Sequence, residues 1–198
     1  DLAIASYQKA LALNPQLYHA KVHLVHQKQH ICDWNNLDKE IADIRHWVNT
    51  LPSAQISPFA FLAMPSTTPA EQKLCADNWV SNRYASLIAY RKQLNFTHAA
   101  KPANKKIRIG YMSADFRLHP LAFLVSELFE LHDRSQFEII AFSYGVDDKS
   151  EARKRLEKAV DQFHDIRRLS EIEAAKKIYA CCLVILVDLS GFTQNSRC

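Results

Sequence analysis

The sequence predicts an α-helical first half and an α/β second half that forms part of a doubly wound parallel sheet. All three glycines, Gly110, Gly145 and Gly191, lie in the second half. Residues 1–98 show helical apolar periodicity broken by prolines, whereas from residue 107 onward short apolar runs alternate with helical segments. This change of pattern indicates two regions with different architecture.

The first helix is predicted to end at Asn14-Pro15, because proline disfavours helical conformation in the residue before it. The spacing of Ala3, Tyr7, Ala10 and Pro15 resembles the second helix of a tetratricopeptide repeat, in which small residues allow a neighbouring helix to approach. One repeat cannot bury its own apolar face, so we expect an array whose earlier members precede this chain. An ordinary amphipathic helix that ends in Asn-Pro is the alternative.

Three further stretches complete the first half. Helices are predicted over 16–31 and over 35–51, the latter with Asp33 or Asn35 as its N-cap. The proline-rich stretch ISPFAFLAMPSTTP is predicted to be extended. A long helix is then predicted to begin at Thr68-Pro69 and to run to about residue 94.

The second half follows a polar connector, AAKPANK at 99–105, which predicts a boundary between a tetratricopeptide-like and linker domain over 1–98 and an α/β domain over 99–198. Strands are predicted at 107–112, 137–144 and 183–189, with a short strand at 163–166, and helices at 121–131, 149–160 and 170–179. The nearly unbroken apolar strands predict a parallel sheet that is covered on both faces.

Composition argues against several classes of protein. The five cysteines show no CxxC spacing, which argues against a disulfide framework and a zinc knuckle. The net charge of +4 is scattered, and its densest clusters, Lys105-Lys106-Arg108 and Arg153-Lys154-Arg155, are interpreted as solvated surface. No apolar run is long enough to cross a bilayer. We therefore expect a cytoplasmic protein that binds neither nucleic acid nor membranes.

The loops after the predicted strands hold the candidate chemistry, because ligands of open parallel sheets bind beyond the carboxyl ends of the strands. These loops are 113–120, 145–148 and 190–193. Pro120 suits the first turn of a helix and places His119 at or beside its N-cap, where the positive helix end disfavours the imidazolium. A ring that stays neutral near pH 7 can act as a general base. The alternative is a loop histidine with an ordinary hydrogen bond.

Several motifs in the same order resemble the bacterial members of the protein O-GlcNAc transferase family, and the resemblance covers nearly the whole chain. They are HICDWNNL, ISPFAFLAMPSTTP, KIRIGYMSADFRLHPLAFL, FEIIAFSYGVDD and ILVDLSGFT. The resemblance implies the N-terminal lobe of a two-lobed GT-B glycosyltransferase that uses no metal or other cofactor. The implied reaction transfers N-acetylglucosamine from UDP-GlcNAc to Ser or Thr hydroxyls of proteins, so polypeptide acceptors and the sugar nucleotide are the expected partners.

The resemblance also implies site residues. The family's histidine in the corresponding His-Pro pair lies at the active site, which maps onto His119 as the catalytic residue. Asp115 in the same loop and Thr193 in the Ser-Gly-Phe-Thr turn are candidates for substrate binding, although short polar residues also serve turns and caps. Animal members carry a second active-site histidine where this chain has Tyr179, so the role of that histidine does not transfer.

The family's donor-binding lobe has no counterpart before Cys198, so we expect this fragment to be inactive by itself. A sheet that ends at its last strand exposes an edge and an apolar flank, which predicts a homodimer through that surface. Two other functions stay open: a non-catalytic, repeat-capped module that binds proteins, and a regulatory domain that binds a nucleotide. A reading frame that stops at Cys198 favours the first, and tight UDP binding by these residues favours the second.

A stripe of histidines in the first half is a second candidate site. His19, His23, His26 and His30 lie on one face of a predicted helix, and an i, i+4 pair can chelate a metal. A solvated helix face or a contact between repeats explains the same spacing, because the neighbouring ligands are limited to Cys32 and Asp33. The sequence leaves metal binding by this stripe undecided, and no metal site is assigned.

Overall fold

The computed structural model describes residues 2–91, 93–97, 105–193 and 196–197. The chain forms two compact units, residues 1–94 and residues 95–198. The predicted connector at 99–105 lies almost entirely outside the described residues. Within the described ranges, no helix combines the length and the apolar character that a membrane span requires.

The first unit is helical. Its elements are α1 (Leu2–Leu13), α2 (Tyr18–His30), α3 (Leu37–Thr50), a 3-10 turn (Pro52–Ala54), α4 (Pro58–Leu62), α5 (Pro69–Arg83) and α6 (Ala85–Arg91). Apolar side chains such as Val25, Ile44 and Phe61 form a core between α2, α3, α4 and α5. The buried Glu40 of α3 accepts hydrogen bonds from Lys21 at 2.6 Å and Lys28 at 3.2 Å, which compensates its charge.

Three predictions for this unit are wrong in detail. The stretch predicted to be extended contains α4, because Ser57 accepts the Ala60 N–H and Pro58 fits the first helical turn. Asn36, with φ of 59°, occupies the N-cap position of α3 in place of Asp33 or Asn35, because the Asp33 carboxylate accepts the Asn35 N–H at 3.1 Å and so closes a turn before the helix. The long helix from Thr68 is interrupted at Tyr84, whose φ of −114° and ψ of 18° are not helical.

The second unit alternates strands and helices. They are β1 (Ile107–Ser113), α7 (Pro120–Leu131), β2 (Phe137–Ser143), α8 (Glu151–Lys158), β3 (Gln162–Asp165), α9 (Glu171–Ala180) and β4 (Ile185–Asp188). All strand pairs are parallel, and the described strands lie in the order β3-β2-β1-β4. The register pairs Ser113 with Ser143 and Met112 with Asp188, so the strands end at a common edge.

Successive strand residues face opposite sides of the sheet. Ile109 and Tyr111 pack on one side with Phe129 of α7 and Leu156 of α8. Met112 and Phe142 pack on the other side, as does the buried Ala174 of α9. Helices therefore cover both faces, and the predicted fold class of helices followed by a partial doubly wound parallel sheet is confirmed.

The last strand differs from its prediction. It is shorter, and Val184, Ile185 and Leu186 are 54%, 47% and 44% exposed, whereas a strand buried on both faces was expected. The reason is its position, because β4 pairs with β1 alone among the described strands. A groove of about 1150 Å³ lies beside it, with Met112 and Ile178 among its lining residues.

Candidate active site

The carboxyl ends of β1, β2 and β4 meet at one edge of the sheet. From β1 the chain moves to β2 and β3 on one side, and then returns to place β4 on the other side of β1. Such a reversal of strand order leaves a crevice at the carboxyl edge, where ligands of open α/β sheets bind. The three loops predicted to hold the site therefore share this edge.

His119 is the N-cap residue of α7, as predicted. Its backbone is extended, with φ of −152° and ψ of 148°, and Pro120 occupies the first helical position. Proline has no N–H, so the first N–H of the helix that needs a partner belongs to Leu121. The Nδ1 atom of His119 accepts that N–H at 3.2 Å. The same contact therefore caps the helix and fixes the orientation of the ring.

The cap also fixes the tautomer of the ring. A neutral imidazole has one N–H and one nitrogen with a free lone pair. Because Nδ1 of His119 uses its lone pair on Leu121, the single proton of the neutral ring lies on Nε2. The ring thus presents a hydrogen-bond donor at Nε2. A general-base step at Nδ1 requires the cap bond to break.

Asp115 lies next to this donor. Its Oδ1 atom is 3.9 Å from Nε2 of His119 and accepts a hydrogen bond from Nη2 of Arg117 at 3.1 Å. The Asp115 N–H donates to the buried hydroxyl of Ser113 at the end of β1, at 3.0 Å. The structure therefore brings two of the predicted site residues together, each of them partly buried.

The loop after β2 supports the loop after β1. The Leu118 N–H donates to Oδ2 of Asp148 at 2.7 Å, and this hydrogen bond is the main cause of the lowered pKa of the Asp148 carboxyl. A Cβ atom on Gly145 would overlap the carbonyl oxygen of Ala114. The two loops are thus in contact along their backbones, directly before His119.

The third loop contains Thr193, the remaining predicted residue. Its hydroxyl donates to the Ser190 carbonyl oxygen at 2.8 Å, and its N–H donates to the same atom at 3.1 Å. These contacts close a turn, and the role of Thr193 in substrate binding stays a prediction. Ser190, which the sequence did not single out, links the loops: its hydroxyl lies 3.2 Å from that of Ser113 and accepts the Ala114 N–H at 3.4 Å.

Arg153 is a further residue whose surroundings differ from the prediction. It was assigned to a solvated cluster, but it is 3% exposed and lies beneath the β1 and β2 loops. The local charge pattern contains no signal for this burial, because the neighbouring Lys154 and Arg155 are exposed. Its contacts come from residues on β2, on α8 and in the loop before His119.

Tyr179, which the resemblance aligns with a second active-site histidine of the animal members, lies at the opposite edge of the sheet. Helix α9 ends at Ala180 and leads to the amino end of β4. The Tyr179 hydroxyl donates to the Thr97 carbonyl at 2.8 Å and accepts the Thr97 N–H at 3.0 Å, and its ring stacks on Phe96 at 4.1 Å. These contacts with Thr97 lower the pKa of the tyrosine, which here anchors a segment of backbone.

The histidine stripe of the first unit forms ring contacts. His23 stacks on Tyr7, and His26 meets His30 edge to face with ring centroids 4.6 Å apart. Burial, followed by the nearby imidazoles, lowers the pKa of His23 and of His26. In the part of the chain that the structure describes, no group of three or more His, Cys, Asp or Glu side chains is arranged to hold a metal ion.

Known proteins share this architecture. An O-GlcNAc transferase mutant of Thermobaculum terrenum superimposes with a TM-score of 0.64 and 24% identity, over 96% of this chain and 36% of that chain. This likeness shows the fold.

Relatives in sequence identify the family. A probable UDP-N-acetylglucosamine-peptide N-acetylglucosaminyltransferase, SEC, of Arabidopsis thaliana is 32% identical over 88% of this chain, which spans 19% of the relative. A UDP-N-acetylglucosamine-peptide N-acetylglucosaminyltransferase of Caenorhabditis elegans is 28% identical over 85% of this chain, which spans 15% of that relative. The model of glycosyl transferase family 41 matches residues 31–198. The resemblance inferred from the motifs is therefore confirmed, and the chain belongs to glycosyl transferase family 41.

Proposed function

We propose that these residues form the acceptor-side part of a protein O-GlcNAc transferase. In this proposal residues 1–98 are the end of a tetratricopeptide array and a helical linker, and residues 99–198 belong to the N-terminal lobe of a GT-B enzyme. The complete enzyme transfers N-acetylglucosamine from UDP-GlcNAc to Ser or Thr hydroxyls of cytoplasmic proteins. Family membership and the names of the two relatives support this reaction. The chain spans about a fifth of the length of the Arabidopsis thaliana relative.

The observation that carries the proposal is the pair formed by His119 and Asp115 at the carboxyl edge of the sheet. An oriented N–H donor and a carboxylate acceptor lie 3.9 Å apart, where the strand order reverses. A hydroxyl group needs both kinds of partner, because its oxygen accepts one hydrogen bond and its proton donates another. The pair is therefore suited to hold a Ser or Thr side chain.

The chemistry follows from that placement. The acceptor oxygen forms a bond to the anomeric carbon of the sugar, the bond from that carbon to the UDP oxygen breaks, and the hydroxyl proton departs. His119 directs the oxygen through Nε2–H, and the Asp115 carboxylate accepts the hydroxyl proton as the bond to the sugar forms. Arg117 holds the Asp115 carboxylate in place through the 3.1 Å hydrogen bond. Binding of the UDP group is assigned to parts of the enzyme outside these residues.

Substitutions of His119 in the complete transferase test this assignment. His119→Asn keeps a side chain that caps the helix but does not reach the position of Nε2. His119→Gln reaches that position with an N–H donor but has no basic nitrogen. We expect turnover of UDP-GlcNAc with a peptide acceptor to fall by about a hundredfold in His119→Ala and His119→Asn, and by less in His119→Gln.

The losses of turnover in the three variants distinguish a donor role of His119 from a general-base role. Equal losses in all three variants would support the general-base role predicted from the sequence. Unchanged turnover in all three would remove His119 from the mechanism and favour a protein-binding module. The 198-residue chain alone is the negative control, and it is expected to form no product.

A further inference from the structure

We infer that Arg153 is a positioning residue for the loop that carries Asp115 and His119. The inference rests on the proposed function, and it extends it to a residue that does not reach the carboxyl edge. Arg153 lies on α8, a helix that covers one face of the sheet with Leu156 in the core. Burial of an arginine side chain is uncommon and demands partners for its charge and its N–H groups.

The guanidinium of Arg153 joins three parts of the second unit. Its Nη1 atom donates to the carbonyl oxygen of Phe116 at 3.2 Å and to the hydroxyl of Ser143 at 2.9 Å. Its Nε atom donates to Glu157 at 2.7 Å. The planar group also lies over the ring of Phe163, 4.4 Å from the centroid. One side chain therefore connects α8, the end of β2 and the loop after β1.

The contact with Phe116 is the one that reaches the site. Phe116 follows Asp115 directly, precedes His119 by three residues and is fully buried. Its ring packs against Phe129 and Phe163, and its carbonyl is held by Arg153. Together with the hydrogen bond from Leu118 to Asp148, this contact fixes the loop backbone at two points between Asp115 and His119.

Loss of the guanidinium leaves the Phe116 carbonyl and the Ser143 hydroxyl without this donor in a buried region. The loop backbone then has one tie in place of two, so the Asp115 and His119 side chains lose their fixed separation. A shift of about 1 Å in groups that orient a reacting atom lowers turnover by about a hundredfold. Binding of the sugar nucleotide, which is assigned to other parts of the enzyme, does not depend on this loop.

Three variants of the complete transferase test the inference. Arg153→Lys keeps the charge but cannot donate to Phe116, Ser143 and Glu157 in the same planar geometry. Ser143→Ala removes one acceptor and leaves the Phe116 contact. Arg155→Met is the matched control on the same helix, because Arg155 is exposed and pairs with Glu130 at the surface.

We expect Arg153→Lys to lower kcat by about tenfold or more, with the KM for UDP-GlcNAc unchanged. Ser143→Ala should have a smaller effect, and Arg155→Met should have none. A purely structural role would lower the melting temperature of Arg153→Lys while kcat of the folded enzyme stayed normal, and that result would overturn the inference. Equal changes in kcat and in the KM for the sugar nucleotide would overturn it as well.

A second readout needs no activity. In the 198-residue chain, imidazole ¹⁵N chemical shifts report which ring nitrogen of His119 carries the proton. Arg153→Lys should shift the His119 signals toward the average of the two tautomers, and Arg155→Met should leave them in place. An unchanged His119 spectrum in Arg153→Lys would contradict the positioning role, even if the transferase reaction were established. A changed His119 spectrum would support the positioning role, even if the transferase reaction were not established.

Discussion

The Nδ1 atom of His119 accepts the backbone N–H of Leu121 at 3.2 Å, so this ring caps α7 and faces the carboxyl edge of the sheet with the other nitrogen. The helix end and the candidate site therefore depend on the same side chain. A substitution of His119 that removes the helix cap at Nδ1 also removes the hydrogen-bond donor at Nε2. Variants that keep one of these two contacts are therefore needed to assign the role of His119.

Gly145 determines how closely the loops after β1 and β2 approach. A side chain at this position would overlap the Ala114 carbonyl oxygen. Because this oxygen belongs to the backbone, moving it costs more free energy than rotating a side chain. We expect Gly145→Ala to lower the free energy of unfolding of the α/β unit by roughly 2–4 kcal/mol. Gly191→Ala is the control, because Gly191 has φ of 52° but a Cβ atom added there would meet no atom of the described residues within 4 Å, and the substitution should cost about 1 kcal/mol. Urea titrations that gave equal losses for both variants would contradict the close approach.

Glu71 makes the helical unit sensitive to acid. The hydrogen bond from Arg45, followed by the bond from the Thr68 backbone, lowers the pKa of Glu71 from 4.5 to about 2. A carboxylate with a depressed pKa stabilises the folded state above its ordinary pKa, and this contribution is lost as the pH falls toward 2. We expect Glu71→Gln to destabilise the unit by about 1 kcal/mol at pH 7 and by much less near pH 2.

The test is urea unfolding of both proteins at several pH values. Asp77→Asn is the control, because the pair of Asp77 with Lys73 lies on the same helix but is exposed, and this substitution should have little effect at any pH. A difference between wild type and Glu71→Gln that stayed constant from pH 7 to pH 2 would show that the ion pair with Arg45 is not its source.

The exposed strand β4 predicts self-association of the 198-residue chain. Its apolar residues Ile185 and Leu186, together with Val184 directly before the strand, lie at the edge of the described sheet, and such an edge can pair with a second copy. We expect light scattering to show a dimer that Ile185→Lys converts to a monomer. Val146→Lys, at an exposed apolar loop residue, should leave the dimer intact. A wild-type chain that stayed monomeric at every concentration would rule out this edge as an interface.

The local features of the site could be predicted from the sequence, because they depend on neighbouring residues. Pro120 fixes the start of α7, and the N-cap position of His119 follows from it. The contacts that hold the loops together could not be predicted. Leu118 and Asp148 are 30 residues apart in sequence, and Ala114 and Ser190 are 76 apart. These pairs form only when parallel strands bring their ends to one edge.

The burial of the charged Arg153 side chain could not be predicted from the sequence either. Arg153 and Arg155 are two residues apart on α8, yet the first is 3% exposed and the second pairs with Glu130 at the surface. The two side chains differ in exposure because one points from α8 toward the sheet and the other points away from it. The identity of a single residue does not determine which side of a helix faces the sheet. The exposure of β4 had a similar origin, because an apolar run predicts a strand but not the neighbours that cover it.

The role of His119 depends above all on which ring nitrogen carries the proton, and this can be measured in the folded chain at pH 7.5. Long-range ¹H–¹⁵N spectra distinguish a protonated Nε2 from a protonated Nδ1, and the His119→Gln variant identifies the signal among the nine histidines. We expect the proton to lie on Nε2, with Nδ1 as the acceptor of the Leu121 N–H. A ring protonated on Nδ1, or one that exchanges freely between both forms, would contradict it.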